Sequence, residues 1–148
     1  MMSIYVAGGS QEIRTVEKYV KALRTKFEIA HDWCAEVRRQ EALGVPPNPR
    51  NVGLFTLLRW ASDDLSGATS CDFFWLLVPK PESLSIGCWV EFGAALTRFP
   101  RPKTVIVSGD WRCTVFAASA DRRFTEHQDA FNWLIGGLVP RSEEETAA

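Results

Sequence analysis

The sequence predicts a parallel, doubly wound α/β sheet with helices on both faces. Strand-like and helix-like segments alternate along the whole chain. The run Phe73 to Val78 is apolar at every position, as a strand covered on both faces must be. Residues 1–32 read strand, helix, strand, with a connection suited to a parallel crossover. A chain of 148 residues suits one domain, here expected over residues 1–140, with a polar, frayed tail over 141–148.

Each element has a local reason. Ser3 to Gly8 reads as a buried strand ending in glycine, and Gly8-Gly9-Ser10 as a turn with Ser10 as helix N-cap. Ile13, Val16, Val20, Leu23 and Phe27 recur at three- and four-residue steps, which marks an amphipathic helix. Phe27 to His31 reads as a second strand. Residues 33–52 are the least regular. A short helix fits Ala35 to Ala42, but Gly44-Val45-Pro46-Pro47-Asn48-Pro49 can hold neither a helix nor a central strand. This loop is either a passive connector or a cover over a site.

Leu54 to Ser70 resumes a helical pattern, and Asp72 opens the strand Phe73 to Val78. A loop over Pro79 to Leu84 leads to a helix over Ile86 to Thr97, apolar enough to be buried on nearly every side. Lys103 to Ser108 is another buried strand. Thr125-Glu126-His127-Gln128 fits a capping box and starts a last helix through Phe131 and Leu134.

Composition narrows the function classes. Seventeen basic residues against eighteen acidic ones give a net charge of -1, without the basic excess of a nucleic-acid binder. The longest apolar run is too short for a bilayer, and the N-terminus lacks a basic signal-peptide start. A cytoplasmic protein with no membrane partner is expected. Cys34, Cys71, Cys88 and Cys113 are far apart with no C-x-x-C pair, so free thiols are expected rather than a zinc site. With only His31 and His127 besides, no metal is expected.

The most informative side chain is Glu91, the one charge between Ile86 and Thr97. A carboxylate in so apolar a helix is costly unless it is paired, hydrogen-bonded or open to a cavity. It is therefore either a structural Glu bound to an amide or arginine, or a carboxylate facing a pocket. Ser85 and Gly87 precede that helix, as an N-cap and tight turn or as a seat for an anion. Asp63 and Asp64 read as first-turn acids or, for Asp64, as a second functional carboxylate; Asp72 reads as a strand-start residue. Tyr5 lies inside the first strand, where its hydroxyl needs a partner. Trp33, Trp89 and Phe55 are core aromatics or stacking surfaces.

Other chemistries fit poorly. Gly8-Gly9-Ser10 is not G-x-G-x-x-G, and neither a P-loop nor a G-x-S-x-G elbow occurs. Neither His31 nor His127 accompanies a nucleophile turn of the kind a Ser-His-Asp triad uses. Two carboxylates with polar helix-start groups suit glycosidic-bond chemistry, in which one carboxylate attacks the anomeric carbon.

Ile4-Tyr5-Val6-Ala7-Gly8, then Asp64-Leu65 with Asp72 eight residues on, then Ser85-x-Gly87-x-x-x-Glu91-x-Gly93, resemble the nucleoside 2-deoxyribosyltransferase superfamily. That group includes the 2'-deoxynucleoside 5'-phosphate N-hydrolases. The resemblance spans roughly residues 3–108 and is greatest to bacterial and phage members. It implies a flavodoxin-like, Rossmann-like three-layer fold with about five parallel strands, no cofactor, and a homodimer or higher oligomer. It implies that Glu91 is the glycosylated nucleophile, that Asp64 helps protonate the departing base, and that Tyr5 orients Glu91. Ser85 stands where the transferases carry an Asp for the sugar 5'-hydroxyl and the hydrolases a Ser for the 5'-phosphate. Gly8, Gly9, Ser10, His31, Ser85 and Gly87 are thereby implied as substrate-binding residues. No arginine directly follows Gly8-Gly9-Ser10; Arg14 is one turn on. The implied activity is cleavage or transfer at the N-glycosidic bond of a (2'-deoxy)nucleoside or its 5'-monophosphate. A non-catalytic nucleotide-binding module of the same fold is the alternative, and an NAD-cleaving glycohydrolase ranks third.

Overall fold

The computed structural model describes residues 1–44, 49–83, 85–101 and 104–136. Five parallel strands form one sheet: β1 (Ser3–Ala7), β2 (Glu28–Ile29), β3 (Phe73–Leu77), β4 (Thr104–Ser108) and β5 (Arg122–Phe124). Their order, β2-β1-β3-β4-β5, is that of the flavodoxin-like doubly wound sheet. The winding direction reverses between β1 and β3, so the carboxyl ends of those two strands frame the crevice where such folds hold ligands.

Five α-helices cover the sheet: α1 (Ile13–Leu23), α2 (Trp33–Ala42), α3 (Leu54–Ser70), α4 (Gly87–Thr97) and α5 (His127–Ile135). Side chains alternate across a strand, so β1 sends Ile4 and Val6 to one face and Tyr5 and Ala7 to the other. Ile4 and Val6 meet Val16, Val20 and Leu23 of α1 and Leu134 of α5. Tyr5 and Ala7 meet Ala68 of α3 and Cys88, Phe92 and Ala95 of α4. In β3, which is buried throughout, Phe74 belongs to the second layer and Trp75 to the first. Burying side chains of this size stabilises the fold by roughly 2–3 kcal/mol each. Trp75 also satisfies its indole N–H inside the first layer, donating to Ser108 Oγ at 2.8 Å; that hydroxyl lies 2.7 Å from His127 Nδ1. At the opposite, amino end of the strands, Asp72 accepts from the Ser3 amide at 3.0 Å and ties β3 to β1. This is the strand-start role expected of it.

Several boundaries differ from the sequence expectation. Ser10 is not an N-cap: it opens a 3-10 turn over Ser10–Glu12, closed by the Glu12 amide on the Gly9 carbonyl. The start of α5 has no side-chain cap, so the Thr125-Glu126-His127-Gln128 pattern does not act as a capping box. β2 is shorter than Phe27 to His31, because beyond Ile29 the chain turns toward α2. β5 carried no alternation to announce it; it exists because three residues continue the β4 ladder at the sheet edge. Helix α4 is not buried all round. Cys88, Phe92 and Ala95 face the sheet, whereas Ile86, just before the helix, and Val90 are 73% and 56% exposed. A helix in an outer layer touches the sheet along one stripe only, and nothing among the described residues covers the other side. Residues 45–48 of the proline-rich loop, Leu84, Lys103 and the tail 141–148 lie outside the described residues. No described helix is long and apolar enough to cross a membrane.

Candidate functional site

The site is built on Tyr5 from β1, His31 between β2 and α2, Asp64 from α3 and Glu91 from α4. His31 Nε2 lies 3.2 Å from Asp64 Oδ1. The Tyr5 ring stacks on His31, with centroids 6.5 Å apart and planes 10° apart, and on Phe74 at 5.8 Å. This close assembly depends on Gly67. A Cβ there would lie 2.7 Å from His31 Cβ and 2.8 Å from Tyr5 Cδ2, so no larger residue lets α3 approach β1 this way. Trp60, Asp64 and Gly67 are spaced four and three apart and share one face of α3. All three look toward the same side: Trp60 Nε1 reaches Glu36 Oε1 of α2 at 3.2 Å, Asp64 reaches His31, and Gly67 meets Tyr5. Asp63 and Asp64 therefore lie in the second half of α3, and the reading of them as first-turn acids is wrong; the helix starts a full two turns earlier.

Glu91 has no ion-pair partner among the described residues. The reading of it as an arginine-neutralised structural glutamate has no support. Burial is the main cause that pushes its carboxyl up to about 8, and the Asp64 charge adds to the shift. The Tyr5 hydroxyl opposes it by favouring the carboxylate. That hydroxyl is fully buried and makes no hydrogen bond of normal geometry among the described residues. Its own ionisation is pushed far up, by burial first and then by Glu91 and Asp64. Asp64 is also raised by burial, and His31 pulls it back. Two carboxyl groups are thus held close enough to influence each other, with a neutral phenol between β1 and the acids.

The substrate-binding set implied by the resemblance divides. Gly9 and Ser85 come together at the carboxyl edge of the sheet: a Cβ on Gly9 would lie 2.4 Å from Ser85 Oγ. Two further contacts fasten that edge: Ser83 Oγ donates to Gln11 Oε1 at 3.1 Å, and the Lys80 amide donates to Glu12 Oε1 at 3.3 Å. Ser85 is not the N-cap of α4; Ile86 holds that position without a side-chain cap. Gly8 has a packing role, since a Cβ there would lie 2.6 Å from Val16 Cγ2. Gly87 is exposed, with open space where its Cβ would be, and Ser10 is exposed beside Gly9.

Beside His31 and Asp64 lies a hollow of about 80 Å³ between α2 and α3, completed by Trp33, Glu36, Val37 and Trp60. Trp33 spends its indole N–H on the Val6 carbonyl at 2.8 Å. Of the other aromatic candidates, Trp89 packs edge-on against Phe92, and Phe55 is 88% exposed. Sequence reasoning missed Glu36, Trp60 and Gly67. The available signal was the spacing of Trp60, Asp64 and Gly67, together with a lone glycine inside a helical pattern.

Among the described residues no group of three or more His, Cys, Asp or Glu side chains is placed to hold a metal ion. No family model matches the chain, and no curated protein or solved structure matches it.

Proposed function

We propose that this chain cleaves or transfers at the N-glycosidic bond of a (2'-deoxy)nucleoside or its 5'-monophosphate. The observation that carries the reading is Glu91: a half-buried carboxyl group without a cationic partner among the described residues, beside a second carboxyl group and a buried phenol. In this mechanism the Glu91 carboxylate attacks the anomeric carbon and forms a glycosyl ester. The two neighbouring carboxyl groups share one proton, which in the reactive form sits on Asp64 and leaves Glu91 ionised; the C–N bond breaks, its electron pair stays on the base, and that proton passes to the base. His31 positions Asp64, and Tyr5 favours the ionised form of Glu91. Water or a second base then attacks the same carbon and frees Glu91. Gly9 and Ser85, with Gly8, Ser10 and Gly87 around them, provide the edge for the 5'-phosphate or 5'-hydroxyl. The resemblance further supports a homodimer, and the apolar side of α3 and α4 left uncovered among the described residues fits that assembly.

The test is a panel of nucleosides, 5'-monophosphates and NAD, read by chromatography for free base. Wild-type protein releases base from at least one member, and Glu91→Gln lowers the rate by about a thousandfold or more. Failure of every substrate overturns the reading. One observation favours a binding module instead: a carboxyl raised to about 8 is mostly protonated at neutral pH and a poor nucleophile there. Calorimetric binding of a panel member without release of base would establish that second reading.

A further inference from the structure

The hollow between α2 and α3 has an unusual donor-acceptor balance. Both indole N–H groups that border it are engaged: Trp33 with Val6 and Trp60 with Glu36. The two tryptophans therefore offer hydrocarbon surface, and the polar lining is two carboxyl groups and one imidazole. Glu36 is held ionised, its pKa lowered to about 2, first by Arg39 and then by Gln40. Its Oε1 accepts from Arg39 Nη2 at 2.7 Å, Gln40 Nε2 at 2.8 Å and Trp60 Nε1 at 3.2 Å. Its Oε2 accepts from Arg39 Nε at 3.1 Å, which leaves that oxygen capacity for one more N–H. A cavity of about 150 Å³ encloses benzene. A hollow of about 80 Å³ therefore takes one edge of a six-membered ring rather than a whole ring system.

We propose that this hollow recognises the amino-bearing edge of an adenine- or cytosine-type ring, with Trp33 and Trp60 against the ring and Glu36 as acceptor. A ring that presents an oxo group at the same position sets oxygen against a carboxylate, which is repulsive and discriminates against it. The inference rests on the functional reading above, in that Asp64, at the same hollow, is the group facing the leaving base.

The experiment pairs each amino base with its oxo counterpart. Free adenine, hypoxanthine, cytosine and uracil are titrated against wild-type protein and followed by tryptophan fluorescence. The corresponding 5'-monophosphates are followed for base release. The expected result is at least about a tenfold preference for the amino member of each pair, since a hydrogen bond to a charged acceptor commonly carries that much. Glu36→Gln collapses the preference to about twofold or less, while its melting temperature stays close to wild type. Trp60→Leu weakens binding of both members of a pair without restoring the oxo base. A preference for hypoxanthine and uracil, or one that Glu36→Gln leaves unchanged, overturns the inference. If nucleotides are cleaved with no dependence on Glu36, the hollow's role fails and the glycosidic reading stands. If free bases bind with the Glu36-dependent preference and no nucleotide is cleaved, the hollow stands and the glycosidic reading fails.

Discussion

Burial and the neighbouring Asp64 charge make Glu91 a weak acid, and this has consequences for both stability and rate. Its folded-state value of about 8 lies above the ordinary carboxyl value near 4.3. The native state therefore holds a proton that the unfolded chain has already lost. The resulting stabilisation is full below about pH 4 and is lost progressively as pH rises toward about 8. Glu91→Gln removes the titration, so the variant is more stable than wild type above pH 8, on the order of 2 kcal/mol, and the two converge in acid. Thermal denaturation across pH 5 to about 9 measures this; parallel curves for the two proteins would contradict it. Under the proposed glycosidic mechanism the rate would have the opposite slope, because attack needs the carboxylate: kcat/KM is expected to rise with pH through about 8. The Tyr5 hydroxyl holds the Glu91 carboxyl down, so Tyr5→Phe moves that rise to higher pH. Its effect on stability is small, since the hydroxyl it removes is buried with no hydrogen bond of normal geometry among the described residues. A pH-rate profile unmoved by Tyr5→Phe would separate Tyr5 from Glu91.

Helix α3 shows what an element contributes beyond its own formation. Its span was legible in the sequence because Leu54 to Ser70 is long and periodic, and its bounds agree with the structure. The strands β1, β3 and β4 were legible for a related reason: fully buried parallel strands are short apolar runs between turn signals. The function of one face of α3 was not legible. Gly67 reads as a mild flaw in a helix, and only the packed structure shows that Tyr5 and His31 occupy the space of its missing side chain. The hollow was likewise invisible, since Glu36 and Trp60 meet only when α2 and α3 pack. Caps failed at Ser10 and at α5 because a 3-10 turn and an uncapped start took the place of side-chain capping. Gly67→Ala is therefore expected to destabilise the protein by about 1–3 kcal/mol through overpacking against His31 and Tyr5. Gly93→Ala in α4 is the internal control. Open space surrounds its Cβ position, and alanine there stabilises by about 0.5–1 kcal/mol. Chemical denaturation of both variants tests the contrast, and equal losses would refute the steric account of Gly67.

At the scale of the whole molecule, the described residues leave a group of large apolar side chains uncovered. Leu54, Phe55 and Leu58 at the start of α3 are exposed, as are Ile86 and Val90 around the start of α4. The two helices pack against each other and both run antiparallel to the strands, so their first turns lie at the same edge of the sheet. Phe55 is 88% exposed, and a group of large apolar side chains in this setting marks an interaction surface. The occupant that the proposed homodimer would place here is a second copy of the chain, because a twofold axis would pair one such patch with itself and close the assembly. The patch lies at the carboxyl edge, on the layer that carries Glu91. The chain is accordingly expected to run as a dimer in size-exclusion chromatography with light scattering. The double substitution Phe55→Asp with Val90→Asp shifts it to monomer while circular dichroism stays native, because both side chains already face solvent within one copy. A wild-type protein that remains monomeric at the highest soluble concentration would contradict the dimer. A mutant that stays dimeric would place the contact elsewhere on the molecule.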